Sequence, residues 1–174
     1  MNNRRKLIIV LAALPVGLAR AQPAERAVKT MRVGIINYGA RASYEATTKL
    51  FIDAMRELGW VEGRNIIYDN VYADNDVPRL PAIAAELVAR TPDLIWTMPT
   101  AATVAAYAST RTIPIVFGGS NGVVELGLVK TLAHPGGNVT GVQNFSWELG
   151  GKRLQLLKQA LPKIKRVGVL VYPG

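Results

Sequence analysis

Arg32-Val33-Gly34-Ile35-Ile36-Asn37 is a short apolar run of the kind that forms a strand buried on both faces, and the residues after it turn helical. From Ser43 to Leu58 the spacing puts Leu50, Phe51, Ala54, Met55 and Leu58 on one helical face, and the pattern stops at Gly59, a natural C-terminal cap. The alternation repeats. Asn65 to Tyr72 reads as a second strand, and Leu80, Ile83, Ala84, Leu87 and Val88 then recur at helical spacing until Thr91-Pro92 ends them. Asp93 to Thr97 is a third strand, Thr100 to Ser109 an alanine-rich helix and Pro114 to Phe117 a fourth strand. A helix over Val123 to Ala133 is expected next, then a turn at His134-Pro135-Gly136-Gly137-Asn138 and a fifth strand, Val139 to Val142. Strands joined in this way imply an α/β fold: a Rossmann-like, doubly wound parallel sheet. Beyond it, Ser146 caps a helix carrying Leu149, Leu154, Leu157 and Leu161, and Arg166 to Tyr172 is one more apolar strand. That strand lies two residues from the end at Gly174 with no crossover helix to cover it, so a truncated second unit is expected.

The first 21 residues read as a cleavable signal peptide: a basic start at Arg4, Arg5 and Lys6, an apolar stretch from Leu7 to Ala19, and Ala19-Arg20-Ala21 before Gln22. The apolar stretch is shorter than the roughly 20 residues of a spanning helix, so no permanent membrane span is expected after cleavage. Arg4-Arg5 does not separate twin-arginine from general export, since both use basic residues there. Cysteine is absent, which removes disulfides, thiolate metal sites, a cysteine nucleophile and a lipid-bearing cysteine. An exported chain with no anchor is expected in a periplasm. The formal charge of +9 is unevenly placed. Between Thr30 and Ser146 nine Lys or Arg face ten Asp or Glu, and the excess sits at the two ends. The body of the domain therefore lacks the basic stripe that nucleic-acid binding requires.

In an open α/β sheet ligands bind beyond the carboxyl ends of the strands, which directs attention to Asn37 to Ser43, Met98 to Ala102 and Gly118 to Val123. Thr97-Met98-Pro99-Thr100-Ala101-Ala102 brings hydroxyls and backbone amides to a helix start, suited either to a carboxylate or to plain threonine capping. Gly118-Gly119-Ser120-Asn121-Gly122 permits close backbone approach, as a ligand loop or an ordinary turn would. It is not a nucleotide fingerprint. Tyr38 is placed to stack on a ligand or to sit as an edge residue. His134 has no partner set for a triad or a metal, and Asp69, Asp74 and Asp76 lack an EF-hand pattern and read as solvated loop and helix cap. The candidate ligand set is thus Tyr38, Ser43, Thr97, Thr100, Ala101, Gly119, Ser120, Asn121 and, in the connection leaving the fifth strand, Asn144, with no catalytic residue, metal or cofactor.

The run Arg56-Glu57-Leu58-Gly59-Trp60-Val61-Glu62-Gly63-Arg64-Asn65 resembles the R-E-L-G-Y-V-E-G-Q-N signature of a family of ABC transporter substrate-binding proteins. Arg79-Leu80-Pro81-Ala82, Ala85-Glu86-Leu87-Val88, Ile113-Pro114-Ile115-Val116-Phe117, Gly127-Leu128-Val129, Pro135 to Gly141 and Gly151-Lys152-Arg153-Leu154 extend the similarity over nearly all of the mature chain. The resemblance implies a type I periplasmic-binding-protein fold, in which two Rossmann-like lobes close on a small ligand, with relatives that take up aromatic amino acids. By that pattern residues 30–146 are the N-terminal lobe, Val139 to Ser146 the crossing, and residues 147–174 the first helix and strand of a truncated C-terminal lobe. The implied activity is non-enzymatic: reversible capture of a small molecule, an amino acid or another carboxylate, for an ABC permease. Where the family often has Gly-Asp-Pro after the fourth strand this chain has Asn121-Gly122-Val123, so a carboxylate for a ligand amine is missing. The same residues are compatible with a solute-sensing module or with a truncated product without function of its own. A Rossmann-type enzyme would need a phosphate fingerprint that the chain lacks.

Overall fold

In the computed structural model, which describes residues 29–145 and 149–170, five parallel strands form one sheet in the order β2-β1-β3-β4-β5. Along the chain these are β1 (Met31–Asn37), α1 (Arg41–Glu57), β2 (Ile66–Tyr72), a 3₁₀ turn at Val77–Arg79, α2 (Leu80–Ala89), β3 (Leu94–Met98), α3 (Thr100–Ser109), β4 (Ile115–Ser120), β5 (Val139–Gln143) and α4 (Gly150–Ala160). The chain winds outward from β1 to β2, then crosses back to β3 on the other side of β1. The topological switch point of this doubly wound sheet therefore falls between β1 and β3. Val33 lies beside Tyr68 on one flank and Leu94 on the other, and Ile115 pairs with both Ile95 and Val139.

The apolar run of β1 is buried on both faces, as its composition requires. Val33 and Ile35 face α1 with Ile66, Tyr68 and Trp96, while Ile36 joins Leu87, Ile95, Ala102, Ala106 and Phe117 beneath α2 and α3. Phe51 of α1 stacks on Trp96 at 4.5 Å, nearly parallel. A methyl group at Gly34 would come within 2.6 Å of Leu87, so glycine there lets α2 lie close on the sheet. The family-like signature after α1 is structural. Gly59 reverses the chain at φ +90, and Asn65 ties the loop by accepting from Val61 N at 2.7 Å and donating to Gly59 O at 3.0 Å.

Several sequence expectations are corrected. Phe51, Ile52 and Met55 form the inner face of α1, whereas Ala54 is exposed and Leu50 and Leu58 are 70% and 75% exposed. No helix forms over Val123 to Ala133. Gly122 and Gly127 adopt positive φ, and Leu128 and Val129 both donate to Val123 O, giving a tight turn that buries Val123, Leu128 and Val129 without helical hydrogen bonding. Arg166 to Leu170 is exposed and unpaired with any described strand, so the sixth strand is absent over those residues. A strand persists only against a neighbour that receives its backbone groups. The signal peptide, the Ser146 cap and the last two residues of that expected strand, Val171 and Tyr172, lie outside the described residues. Asp69 belongs to β2 and pairs with Arg32 at 2.9 Å, while Asp74 pairs with Arg79 at 2.9 Å, so the acidic residues form no cluster. Among the described residues no helix is long and apolar enough to cross a membrane, and no group of His, Cys, Asp or Glu is placed to hold a metal ion.

Candidate ligand-binding site at the switch point

The carboxyl ends of β1 and β3 hand the chain to α1 and α3, which leave on opposite faces of the sheet. In sheets of this kind ligands bind outside the carboxyl ends of the strands at the switch point, which makes these two strand ends the candidate position. The N-cap positions are Ala40 for α1 and Pro99 for α3, neither with a side-chain cap, and the first turn of each helix lacks an acidic residue. Each helix start therefore presents backbone N–H groups without a side-chain cap or a nearby acidic residue, a setting that favours an anion such as a carboxylate.

Thr100 is therefore not the capping residue of α3 but the first helical one. Its hydroxyl is spent on the neighbouring loop: Asn121 N donates to Thr100 Oγ1 at 2.8 Å, and Thr100 Oγ1 lies 3.4 Å from Asn121 O. That pair clamps the β4 loop to the start of α3. Behind it lies a buried hydroxyl chain. Thr103 Oγ1 is 2.8 Å from Thr97 Oγ1 and 2.9 Å from Ser120 Oγ, and all three residues are fully buried. Thr97 and Ser120 are thus closed off from solvent, and their hydroxyls tie β3, α3 and β4 to one another. Thr103 is the member that the sequence reading missed, because an alanine-rich helix gives no sign of which hydroxyl turns inward.

The other candidates divide by exposure. Tyr38 is half-buried against the α2–α3 core and donates its phenol to Asn75 O at 3.2 Å, while Tyr38 N donates to Met98 O at 3.1 Å. Ser43 is exposed in the first turn of α1. Ala101 is partly buried and, with Thr100, borders an apolar groove of about 420 Å³ running past Val77, Leu80 and Val104 between α2 and α3. Gly119 sits at φ +78 with open space where a Cβ would be. Asn144 is exposed, and its backbone N donates to Ser120 O at 2.8 Å, tying the connection after β5 to the β4 loop. Tyr38, Thr100, Ala101, Gly119 and Asn121 are thus partly buried at or just after the carboxyl ends of β1, β3 and β4, Ser43 and Asn144 are exposed, and Thr97 and Ser120 are buried. Two residues outside the candidate ligand set lie near the end of β1. Tyr44 packs over Gly39, and its burial, with Tyr38 nearby, holds its phenol above the ordinary tyrosine range. Asn37, fully buried at the end of β1, has neither amide atom hydrogen-bonded.

These features define the class: a doubly wound α/β domain with uncapped helix starts after the two strands that flank its switch point. The particular family follows from comparison. The chain belongs to the ABC transporter substrate binding protein family, whose sequence pattern matches residues 32–174. It is 37% identical over 142 residues to a tyrosine-binding protein of Clostridioides difficile, covering 82% of this chain and 41% of that protein. The ligand-free, open structure of a substrate-binding protein with adhesive properties from Clostridium difficile superposes with a TM-score of 0.66 at 35% identity, over 77% of this chain and 45% of the other. A Streptococcus pneumoniae ABC domain in complex with L-Trp gives a TM-score of 0.61 at 25% identity, over 66% of this chain and 39% of the other. The chain spans less than half the length of these relatives.

Proposed function

We propose that this chain is the N-terminal, ligand-capturing lobe of an extracytoplasmic solute-binding component of an ABC uptake system, taking a small carboxylate reversibly between two lobes. The observation that carries the reading is the pair of uncapped helix starts, α1 at Ala40 and α3 at Pro99, flanking the switch point. Backbone amides there receive the carboxylate, Asn121 and the Thr100 clamp form the adjoining wall, and Tyr38 and Ser43 border the entrance. Thr97, Thr103 and Ser120 hold that wall from behind, so the amides need not reorganise when the ligand arrives. Reversible capture needs no acid, base or nucleophile, and no covalent step is involved.

The relatives, one a tyrosine binder and one seen with L-Trp, favour an amino acid or its near analogues. The β4 loop carries no carboxylate at Asn121-Gly122-Val123, so a ligand amine finds no anionic partner at these three positions. The carboxylate is therefore the group this lobe reads. Residues 147–174 begin a second lobe that supplies the opposite wall. Residues 1–21 direct export to the periplasm, where the closed protein delivers its cargo to a permease.

Backbone NMR titration of the 174-residue chain with L-tyrosine, L-tryptophan and their 2-oxo acids tests this. Because closure buries 70–90% or more of a ligand, one lobe alone binds weakly, with dissociation constants at about the millimolar level. Shifts are expected at Ser43, Thr100, Ala101 and Asn121, similar for the amino and oxo acids. No shift at these amides, or micromolar binding by this chain, would overturn the shared-cleft reading.

A further inference from the structure

Just past the end of β1, Tyr38 is held from two sides. Its backbone N–H donates to Met98 O at the end of β3 at 3.1 Å, its carbonyl accepts from Asn75 N at 3.0 Å, and its phenol donates to Asn75 O at 3.2 Å. Asn75 lies in the connection from β2 to α2, which also joins the end of β1, where Ala73 N donates to Asn37 O at 3.0 Å. We propose that Asn75 is a positioning residue for the ligand site: its left-handed backbone latches Tyr38, and through it the turn into α1, in the geometry that receives the ligand. This role rests on the proposed function, in which Tyr38 and the first amides of α1 meet the ligand, and it adds what holds them there.

Asp74 and Asn75 stand at φ +55 and +65, two left-handed residues in succession and neither of them glycine. Such conformations carry a free-energy cost for residues with a Cβ, least for Asn and Asp, and they persist where the surroundings enforce them. Arg79 pairs with the Asp74 carboxylate at 2.9 Å, and Asp76 N donates to Ala73 O at 2.9 Å, closing the turn from behind. The N–H and the C=O of the single residue Asn75 can then both bond Tyr38. The φ torsion sets the angle between those two groups, so a negative φ at Asn75 breaks at least one of the bonds.

Both bonds use the Asn75 backbone, and the residue is exposed, so its identity matters through the φ it permits. The turn it holds has little slack: a methyl group at Gly39 would stand 2.4 Å from the Tyr44 ring and 3.3 Å from Asn75 Oδ1. Arg41, the first residue of α1, lies over the Tyr72 ring at 5.3 Å, a further tie between the start of that helix and the end of β2. A site already held in its binding geometry spares the ligand the cost of ordering it. A latch that opens leaves only a fraction of the molecules competent, and the apparent affinity falls by that fraction.

The test compares Asn75→Val, whose β-branched side chain resists positive φ, with Asn75→Gly, which adopts it freely, in the 174-residue chain. Without ligand, and relative to intrinsic rates, the amide at position 75 should exchange with solvent about tenfold faster in the valine variant and near the parent rate in the glycine variant. In L-tyrosine titrations read by backbone NMR, valine should raise the dissociation constant about tenfold and glycine by less than about twofold. Urea midpoints establish that each variant is folded, and Asn75→Ala, milder in its aversion to positive φ, takes the place of the valine variant if that one is not. A purely structural role would lower the midpoint and leave the affinity of the folded protein unchanged. The proposal fails if the amide exchanges equally in all three proteins, if the valine variant binds as the parent does, or if glycine weakens binding as much as valine. A parent chain that shows no ligand shifts at Ser43, Thr100, Ala101 and Asn121 overturns the proposed function itself, and the positioning role falls with it.

Discussion

Replacing Thr103 with valine keeps the side-chain shape and removes the central hydroxyl of the buried chain. In the native protein Thr103 Oγ1 meets Thr97 Oγ1 at 2.8 Å, Ser120 Oγ at 2.9 Å and Pro99 O at 3.4 Å, so one atom serves three elements. Valine leaves the Thr97 and Ser120 hydroxyls buried without that partner, in residues that are fully inaccessible to water. An orphaned buried hydroxyl costs about 1–3 kcal/mol, and two of them with partial relaxation make a loss of about 3 kcal/mol the expected outcome. In urea, where chains of this size have slopes of about 1–3 kcal/mol/M, the midpoint should fall by about 1–3 M with the slope unchanged. The Thr97→Val, Thr103→Val, Ser120→Ala triple variant removes every member, and replacing all partners by apolar groups is nearly neutral. It should recover most of the loss despite carrying more substitutions. A Thr103→Val variant within about 0.5 kcal/mol of the parent, or a triple variant no more stable than the single one, would refute the claim that these hydroxyls act as a unit.

Other substitutions probe the frame around the site. Gly141→Ala should destabilise by more than about 2 kcal/mol, because its φ is +155 and a Cβ would stand 2.1 Å from Phe117 O; a normal urea midpoint would show that β5 can shift in register. Asn37→Leu should raise stability by about 1 kcal/mol in equilibrium unfolding, since it replaces a fully buried, unbonded amide with an apolar group of similar size; a fall would mean the amide is satisfied. The Asp93 carboxyl is held below the usual carboxylate range, first by the hydrogen bond from Lys29 and next by the Arg32 backbone N–H. A folded value below the unfolded one adds stability above the ordinary carboxylate pKa and loses it as pH falls through the folded value, so Asp93→Asn should flatten the acid limb of stability against pH. Leu154→Gln should change stability by less than about 0.5 kcal/mol, because Leu154 is 53% exposed on a helix with no buried residue.

Period and punctuation carried most of the fold. The β1 run, the α2 repeat and the Thr91-Pro92 stop each reported a local constraint, and α3 begins and ends at the expected residues. The reading failed where glycine conformation outweighs apolar spacing. Val123, Leu128 and Val129 are buried as a helix would bury them, yet Gly122 and Gly127 at positive φ turn the segment instead. Strand parity could have placed Thr97, since it shares a face with Ile95 and so points into the α2–α3 core rather than at a ligand. The loops singled out by family-like motifs prove to be framing devices. Asn138 donates to Ile113 O at 2.8 Å within the Pro-Gly-Gly-Asn turn, and Asn65 closes the loop after α1.

Under the proposed function, what is left to meet a ligand is largely backbone: the amides at the starts of α1 and α3, and the Asn121 loop clamped by Thr100. A search for chemically distinctive side chains is blind to such a site, because peptide N–H groups are the same at every non-proline residue and only their convergence makes them useful. Side chains in this lobe then matter chiefly by fixing where those amides point. Ligand preference within a scaffold of this kind should therefore respond more to substitutions at the buried hydroxyls and the Thr100 clamp than the exposure of those residues suggests.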